Sequence, residues 1–246
     1  MGRSFAVLCA RPGEMGPMFQ KQHHTALELA GQLILLLSAI VALIHGLKIY
    51  PPELVYVTKT TPVALLALLA LINIKSVDHA ILFFALAISA LADYLIAQPT
   101  VDAFMNGLLT FLVVQIIYIF LFLKNRLPAK DVTPMRLRLA SLMWAMTILA
   151  IFVMYPDLDS ESYNVVIYSF SLTAMATAAL ISRFPFTMVG VGAVLFYISD
   201  SLIGAQQFMN APDYLGYIVW ATYYVAQVLI TLGVLIGKGP NRGIRY

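Results

Sequence analysis

The sequence predicts an all-α fold, a polytopic membrane helix bundle of about eight transmembrane helices. Of the 246 residues, 61% are apolar and 11% are charged, whereas soluble domains contain about 45–50% apolar and about 25% charged residues. A soluble protein of this composition would lack the polar surface that it needs. The same figures exclude a disordered chain, and a single cysteine, Cys9, excludes an internal disulfide framework.

Eight apolar stretches are long enough to cross a bilayer, whose core of about 30 Å requires roughly 20 apolar residues in a helix. The second stretch contains Lys59 and Pro62 near its start, and the fifth and sixth are short. Prolines between the stretches are typical stop signals for helices. The predicted spans are residues 27–47, 54–74, 80–97, 104–123, 139–155, 163–181, 186–205 and 214–236.

The distribution of basic residues predicts the orientation, because Lys and Arg resist translocation across the membrane. With eight spans, all but two of the 15 Lys and Arg residues lie on the side of both termini; the exceptions are Lys48 and Lys59. We therefore expect a cytoplasmic N-terminal arm (1–26), a transmembrane domain (27–237) and a cytoplasmic C-terminal tail (238–246). The short loops favour a bacterial inner membrane, and the endoplasmic reticulum is also compatible.

Two carboxylates lie well inside predicted spans, where a charge at the helix centre costs roughly 3 kcal/mol or more. Asp93 is in the third span and Asp200 in the seventh, and both begin strings of the form Asp-x-Leu-Ile followed by a small residue. Gln115 in the fourth span and Gln227 in the eighth lie at similar positions in the two halves, which is a weaker sign of the same repetition. These similarities predict a four-plus-four internal repeat, which would bring both aspartates to a similar depth in the outer half of the bilayer.

Several polar side chains are predicted to support the aspartates, since a buried carboxylate needs hydrogen-bond donors or a cation. Packing alone is the alternative for a single membrane aspartate, but two in matching strings favour function. Trp144 and Trp220 near span ends are instead typical of aromatic interface belts. The predicted supporting residues are Lys59, Gln115, Tyr118, Tyr197, Ser199, Tyr223, Tyr224 and Gln227.

The sequence offers little support for other kinds of site. The four histidines are His23, His24, His45 and His79. None of them lies in the middle of a span, and none is spaced to join Asp93 or Asp200 in a metal site. We therefore expect no metal and no cofactor, and the absence of a basic run gives no indication of nucleic-acid binding.

Two carboxyl groups in one low-dielectric site cannot both ionise easily, so one remains an acid beside a base. Glycosidases use such a pair on acetals, through an oxocarbenium-like state. A vinyl ether hydrolyses by related chemistry, because protonation of its carbon gives an oxocarbenium ion that water captures. The same pair would also serve proton coupling in a small membrane transporter or a lipid-moving protein. A structural protein with stabilising buried aspartates is a third possibility.

Four strings resemble signatures of the lysoplasmalogenase (YhhN-like) family of membrane proteins. Near the C-terminus these are residues 196–204, FYISDSLIG, and residues 222–230, TYYVAQVLI. Residues 92–95, ADYL, are similar to a Gly-Asp-x-x-Leu signature with Ala92 in place of Gly. Residues 59–62, KTTP, resemble a Lys-Pro element, although Lys and Pro are separated here. The resemblance covers about residues 30–236.

This resemblance implies hydrolysis of the vinyl ether bond of a lysoplasmalogen, a lysophospholipid within the bilayer that carries a choline or ethanolamine headgroup. The products would be a fatty aldehyde and glycerophosphocholine or glycerophosphoethanolamine. The two aspartates would divide the acid and base roles. Tyr223, Tyr224 and Gln227 would orient water or stabilise charge, and Lys59 would meet the lipid phosphate or a carboxylate.

Overall fold

The computed structural model describes residues 17–100, 102–154, 163–208, 212 and 214–237, with side chains from residue 28 onward. In this part of the chain, eight helices are long and apolar enough to cross a membrane, which confirms the predicted polytopic helix bundle. A π-helical turn, Phe186–Gly190, leads into the seventh. The helices are α1 (Pro17–Gly46), α2 (Val55–Ile72), α3 (Val77–Ile96), α4 (Ala103–Lys124), α5 (Pro134–Met154), α6 (Tyr163–Leu180), α7 (Val191–Phe208) and α8 (Leu215–Ile236).

The helix boundaries differ from the predicted ones by only a few residues, except at the starts of α1, α5 and α7, and the π-helical turn occupies the five residues before α7. Helix α1 begins at Pro17, so residues 17–26 of the predicted cytoplasmic arm continue the first helix. Helix α5 begins at Pro134, and proline is tolerated there because the first-turn N–H groups have no helical partner. Residues 1–16, the tail 238–246 and the acidic residues of segment 155–162 lie outside the described residues.

Part of the helix packing is similar in the two halves of the chain. Helix α3 packs on α4 in the first half, and α7 packs on α8 in the second. The halves meet through equivalent pairs as well, since α4 packs on α6 and α8 packs on α2. This exchange is the pattern that a four-plus-four repeat with a two-fold axis along the membrane normal would produce.

The core lies among α2, α3, α4, α6 and α8, and the outward faces of α1 and α5 are apolar. Leu66, Leu86 and Met175 are fully buried between helices. In contrast, Leu43 of α1 and Phe152 of α5 are well exposed. A spanning helix presents such side chains to lipid, which is as apolar as they are, so exposure here indicates a lipid-facing surface.

The two ends of the bundle differ in chemistry. At the end where α2, α4 and α6 finish, Lys124 Nζ pairs with Asp78 Oδ1 at 2.6 Å. At the same end, Arg136 Nη1 donates to the carbonyl oxygens of Leu180 and Ser182 at 3.0 and 3.1 Å. These ties fix helix ends whose last carbonyl groups lack helical partners. The opposite end contains the candidate site.

Candidate active site

A cavity of about 360 Å³ lies at the end of the bundle where α1, α3, α5 and α7 finish and the other helices begin. Its lining includes Lys59 near the start of α2, Asp93 near the end of α3, Asp200 of α7 and Tyr223 of α8. The volume falls within the range of about 300–1,000 Å³ that ligand sites usually have. Both aspartates therefore line one chamber.

Asp93 is held by a chain of buried hydrogen bonds that joins three helices. Its side chain is 2% exposed, and its Oδ2 accepts a hydrogen bond of 2.7 Å from Tyr223 Oη. Gln227 Nε2 donates to the same tyrosine oxygen at 3.2 Å, and Gln227 Oε1 accepts from Tyr118 Oη at 3.1 Å. Each tyrosine hydroxyl has one proton and donates it to the next group in this chain of hydrogen bonds. Side chains of α4 and α8 therefore fix the orientation of the Asp93 carboxyl group.

A lysine lies near Asp93. Lys59 lines the same cavity and is near enough to attract the Asp93 carboxylate electrostatically. Among the described residues, the direct ion pair is that of Lys124 with Asp78 at the other end of the bundle. Lys59 therefore makes no direct ion pair with Asp93, although it lines the same cavity.

Asp200 has different surroundings. It is partly exposed, and its Oδ2 accepts a hydrogen bond from Tyr168 Oη of α6. Asp93 is near enough to influence its charge. Gln115 of α4 lies beside Tyr168 and is fully buried, but neither Oε1 nor Nε2 has a hydrogen-bond partner among the described residues. Gln115 is therefore close to the tyrosine on this side but does not make a hydrogen bond with the geometry of those made by Gln227.

Tyr197 and Ser199 line the cavity, but their hydroxyl groups bond to other helices instead of to the aspartates. Tyr197 Oη lies 2.9 Å from Thr147 Oγ1 and donates to the carbonyl oxygen of Met143 at 3.1 Å. Ser199 Oγ donates to the carbonyl oxygen of Val219 at 3.0 Å. Tyr197 thus connects α7 to α5, and Ser199 connects α7 to α8.

The structure does not bring Tyr224 to the aspartates, contrary to the sequence-based expectation. Its Oη lies 2.9 Å from Ser38 Oγ of α1, and Tyr224 is not among the residues that line the cavity. Adjacent helical residues point about 100° apart, because a turn takes 3.6 residues. Tyr223 faces Asp93, so its neighbour faces α1.

The cavity residues that the sequence analysis did not assign to the site include Tyr168, His45 and Trp220. A tyrosine in an apolar helix does not by itself indicate a site. The predicted repeat could have indicated Tyr168, because α6 corresponds to α2 in that repeat and Tyr168 lies near the position equivalent to Lys59. His45 was considered only as a metal ligand. Its Nδ1 lies 3.0 Å from Thr58 Oγ1, and its ring packs against Trp220 with ring centroids 4.3 Å apart.

The interpretation of Trp220 as an interface residue is wrong. Its side chain is 9% exposed, and Nε1 donates to the carbonyl oxygen of Ala42 at 2.8 Å. Trp144 likewise points into the bundle and donates to Thr177 Oγ1 at 3.1 Å. The N–H group of a tryptophan at a span end can find a hydrogen-bond acceptor either inside the bundle or at the membrane interface. Its position in the sequence therefore does not tell which of the two it faces.

The chemical groups at the site are carboxyls, hydroxyls, an amide, an imidazole and an ammonium group. Within the described residues, no three His, Cys, Asp or Glu side chains form a group that could hold a metal ion. The groups present can transfer protons and stabilise charge on oxygen or carbon.

Comparison with known proteins identifies the family of this chain. Residues 54–234 match the YhhN family. This chain belongs to the YhhN family. The matched segment contains both aspartates, Lys59 and the chain of hydrogen bonds that holds Asp93.

The relatives of this YhhN-family protein include proteins named lysoplasmalogenase. The chain is 34% identical over 160 residues to those of Mycobacterium bovis and Mycobacterium tuberculosis, an alignment that covers 63% of this chain and 60% of each relative. It is 28% identical over 173 residues to lysoplasmalogenase TMEM86A of Bos taurus, covering 67% of this chain and 69% of the relative. The match thus spans three-fifths of the mycobacterial proteins. No solved structure matches the chain.

Proposed function

We propose that this protein hydrolyses the vinyl ether bond of lysoplasmalogens, releasing a fatty aldehyde and glycerophosphocholine or glycerophosphoethanolamine. The observation that carries the proposal is the cavity shared by Asp93 and Asp200, in which each carboxyl accepts a hydrogen bond from a tyrosine hydroxyl. The names of the bacterial and mammalian relatives support the same activity.

The first step is proton transfer to carbon. A protonated carboxyl donates its proton to the second carbon of the alkenyl chain, and the electrons of the double bond form the new C–H bond. The positive charge is then shared by the first carbon and the ether oxygen, as in glycoside hydrolysis. Asp200 suits this acid role because it is partly exposed to the cavity, and Tyr168 fixes its orientation.

The second step is the attack of water on the first carbon. Asp93 suits the base role because Lys59 lies near it, and an ammonium group there stabilises a carboxylate. The tyrosine hydrogen bond is common to both aspartates and does not separate their roles. Asp93 takes a proton from the water as the new C–O bond forms. The hemiacetal then collapses: Asp200 takes the proton of its hydroxyl, the bond to the glycerol oxygen breaks, and Asp93 gives its proton to that oxygen, so that both carboxyl groups return to their starting states. One water is consumed in total.

The position of the cavity agrees with a substrate drawn from one leaflet. The proposed orientation has the basic end of the bundle, with Lys124 and Arg136, in the cytoplasm. The cavity then opens toward the outer side of the membrane. A lysophospholipid in that leaflet can present its phosphate at the interface and its ether bond just below it.

The test is aldehyde release by the purified protein in detergent or liposomes. The substrate is a 1-alkenyl lysophospholipid, and the matched control is the 1-alkyl analogue, which lacks the double bond that accepts the proton. We expect aldehyde from the alkenyl lipid alone. Folded protein that releases no aldehyde would contradict the proposal, and movement of intact lysolipid across proteoliposomes without a covalent product would favour the transporter alternative.

A further inference from the structure

We propose that the alkenyl chain of the substrate lies in a groove between α5, α6 and α7, and that Gly204 determines how long a chain the groove admits. We call this groove the chain groove and define it by Ala150, Ile151, Val166, Ser201 and Gly204, which all line the cavity. The inference rests on the proposed function and specifies how that site holds its substrate.

Two of the walls of the cavity differ in polarity. The wall formed by α1, α2 and α8 carries His45 and Lys59. The wall formed by α5 and α6 is mainly apolar and includes Ile151, Val165 and Leu172. The aspartates lie between these walls, since one is near Lys59 and the other is bonded from α6.

The order of these groups matches the order of groups along a lysoplasmalogen. In the lipid, an anionic phosphate and a glycerol unit precede the vinyl ether, and the hydrocarbon chain follows it. An anion is favoured at the wall that carries Lys59. The vinyl ether then meets the two carboxyl groups, and the chain continues toward α5 and α6, where the cavity is lined by exposed as well as buried residues.

The cavity reaches the surface of the bundle between α5 and α7. Ala150 and Ser201 line the cavity and are also exposed. Helix α5 packs chiefly on α6, and its link to α7 is made by Tyr197, whose Oη lies 2.9 Å from Thr147 Oγ1. These two hydroxyl groups are hydrogen-bonded to each other. A hydrocarbon chain that covers them therefore removes no polar group from a needed partner.

Gly204 stands one helical turn after Asp200 and borders empty space. A Cβ atom added at Gly204 would meet no heavy atom within 4 Å. At Gly233, in contrast, an added Cβ would lie 2.6 Å from Val189 Cγ2, so that glycine is needed for close packing. Glycine inside a helix is less favourable than alanine. Helix packing does not require glycine at 204, and a passing chain would use the space beside it.

The groove is expected to act on turnover more than on affinity. Lipid tails are as apolar as the side chains of the groove, so moving the chain from bilayer to groove gains little free energy. What the groove supplies is position, and misplacing reacting atoms by roughly 1 Å can cost about 10²-fold in rate. Obstructing the groove therefore penalises long chains selectively.

The experiment compares 18-carbon and 6-carbon alkenyl lysophospholipids as substrates of the full-length protein. For Gly204→Phe we expect kcat/KM to fall about tenfold or more with the long chain, and to stay within about twofold with the short chain. Gly204→Ala, which adds a methyl group in open space, stays close to the wild type. Leu91→Phe, on an exposed face of α3 outside the cavity, is the matched control and leaves the ratio of the two substrates unchanged.

A second variant covers the case in which Gly204→Phe does not fold, as judged by size-exclusion chromatography. Ala150→Phe alters the opposite, exposed edge of the groove and is expected to give the same selective loss. An unchanged ratio of long to short substrate in folded Gly204→Phe or Ala150→Phe would overturn the chain groove. Wild-type protein that releases aldehyde from neither substrate would overturn the proposed function itself.

Discussion

Asp93 and Asp200 begin similar strings in equivalent helices, yet their surroundings differ. Asp93 is almost fully buried and ends a chain of hydrogen bonds that runs through Tyr223 and Gln227. Asp200 is partly exposed and bonded by Tyr168 alone among the described residues. A cation lies near the first aspartate.

Under the proposed function, this difference would let two similar sequence strings serve two different roles. Two identical carboxyl groups in identical surroundings would compete for the same proton. Where one is tied to donors and a cation and the other is more open, an acid and a base can coexist. Substitutions around each aspartate are therefore expected to have unequal effects.

The largest effect is expected from the aspartates themselves. Asp93→Asn and Asp200→Asn keep the shape of the side chain but remove the acid or base, so each is expected to lower kcat about 10³-fold. Initial rates of aldehyde release measure the loss, and thermal unfolding in detergent checks the fold. Asp78→Asn, which alters the ion pair at the far end of the bundle, is the control and keeps near-wild-type activity. Full activity in either site variant would remove that residue from the mechanism.

Lys59→Met tests whether the charge of Lys59 supports the function of Asp93. Losing a charged hydrogen-bond donor costs about 1.5–3 kcal/mol, so kcat/KM is expected to fall about 10–100-fold. With an alkenylglycerol substrate that lacks phosphate, the loss becomes smaller but persists, because Lys59 also acts on Asp93. Lys59→Arg restores part of the activity. Unchanged kcat/KM in Lys59→Met with both substrates would contradict this role.

The two tyrosines sharpen the comparison further. Tyr223→Phe and Tyr168→Phe each remove one donor from a carboxyl, and a loss of about tenfold in kcat is expected from each. Tyr223→Phe also leaves Gln227 Nε2 without its acceptor, so it is expected to lower the free energy of unfolding by about 1 kcal/mol more than Tyr168→Phe does. Equal stability of the two variants in thermal unfolding would show that the chain of hydrogen bonds has no energetic weight.

The smallest effect separates the two glutamines. Gln227→Leu leaves Tyr118 without its acceptor and Tyr223 without its donor, and a loss of about 1 kcal/mol in unfolding free energy is expected. Gln115 has no hydrogen-bond partner among the described residues, so Gln115→Leu is expected to change stability by less than about 0.5 kcal/mol or to increase it. Greater destabilisation by Gln115→Leu than by Gln227→Leu would contradict the conclusion that Gln227 makes the more important hydrogen bonds.

Much of the fold was predictable, because a lipid environment imposes one strong constraint on sequence. Every spanning segment must be apolar and helical, and this requirement alone located the spans. It does not detect helical structure outside the membrane, so the first ten residues of α1, from Pro17 to Ala26, were assigned to the cytoplasmic arm. Hydropathy reports on the surroundings of a helix and not on where its hydrogen bonds begin.

The site was predictable where burial carries a cost. Asp93 and Asp200 were found because charges are expensive inside a membrane, and helical spacing placed Tyr223 and Gln227 on one face. Spacing fixes the neighbours on a helix but not the helix that a face meets, so Tyr224 was grouped with the site although it faces α1. Tyr168 was missed because its value depends on α6 lying beside α7, which is a tertiary contact.

The most direct test of the central claim, that the aspartates act as one pair in one cavity, is the double variant Asp93→Asn/Asp200→Asn. Groups that act as a unit have non-additive effects on kcat. We expect the double variant to release aldehyde at the rate of the slower single variant. Losses that multiply in the double variant would mean that the two carboxyl groups work independently, and would contradict the account.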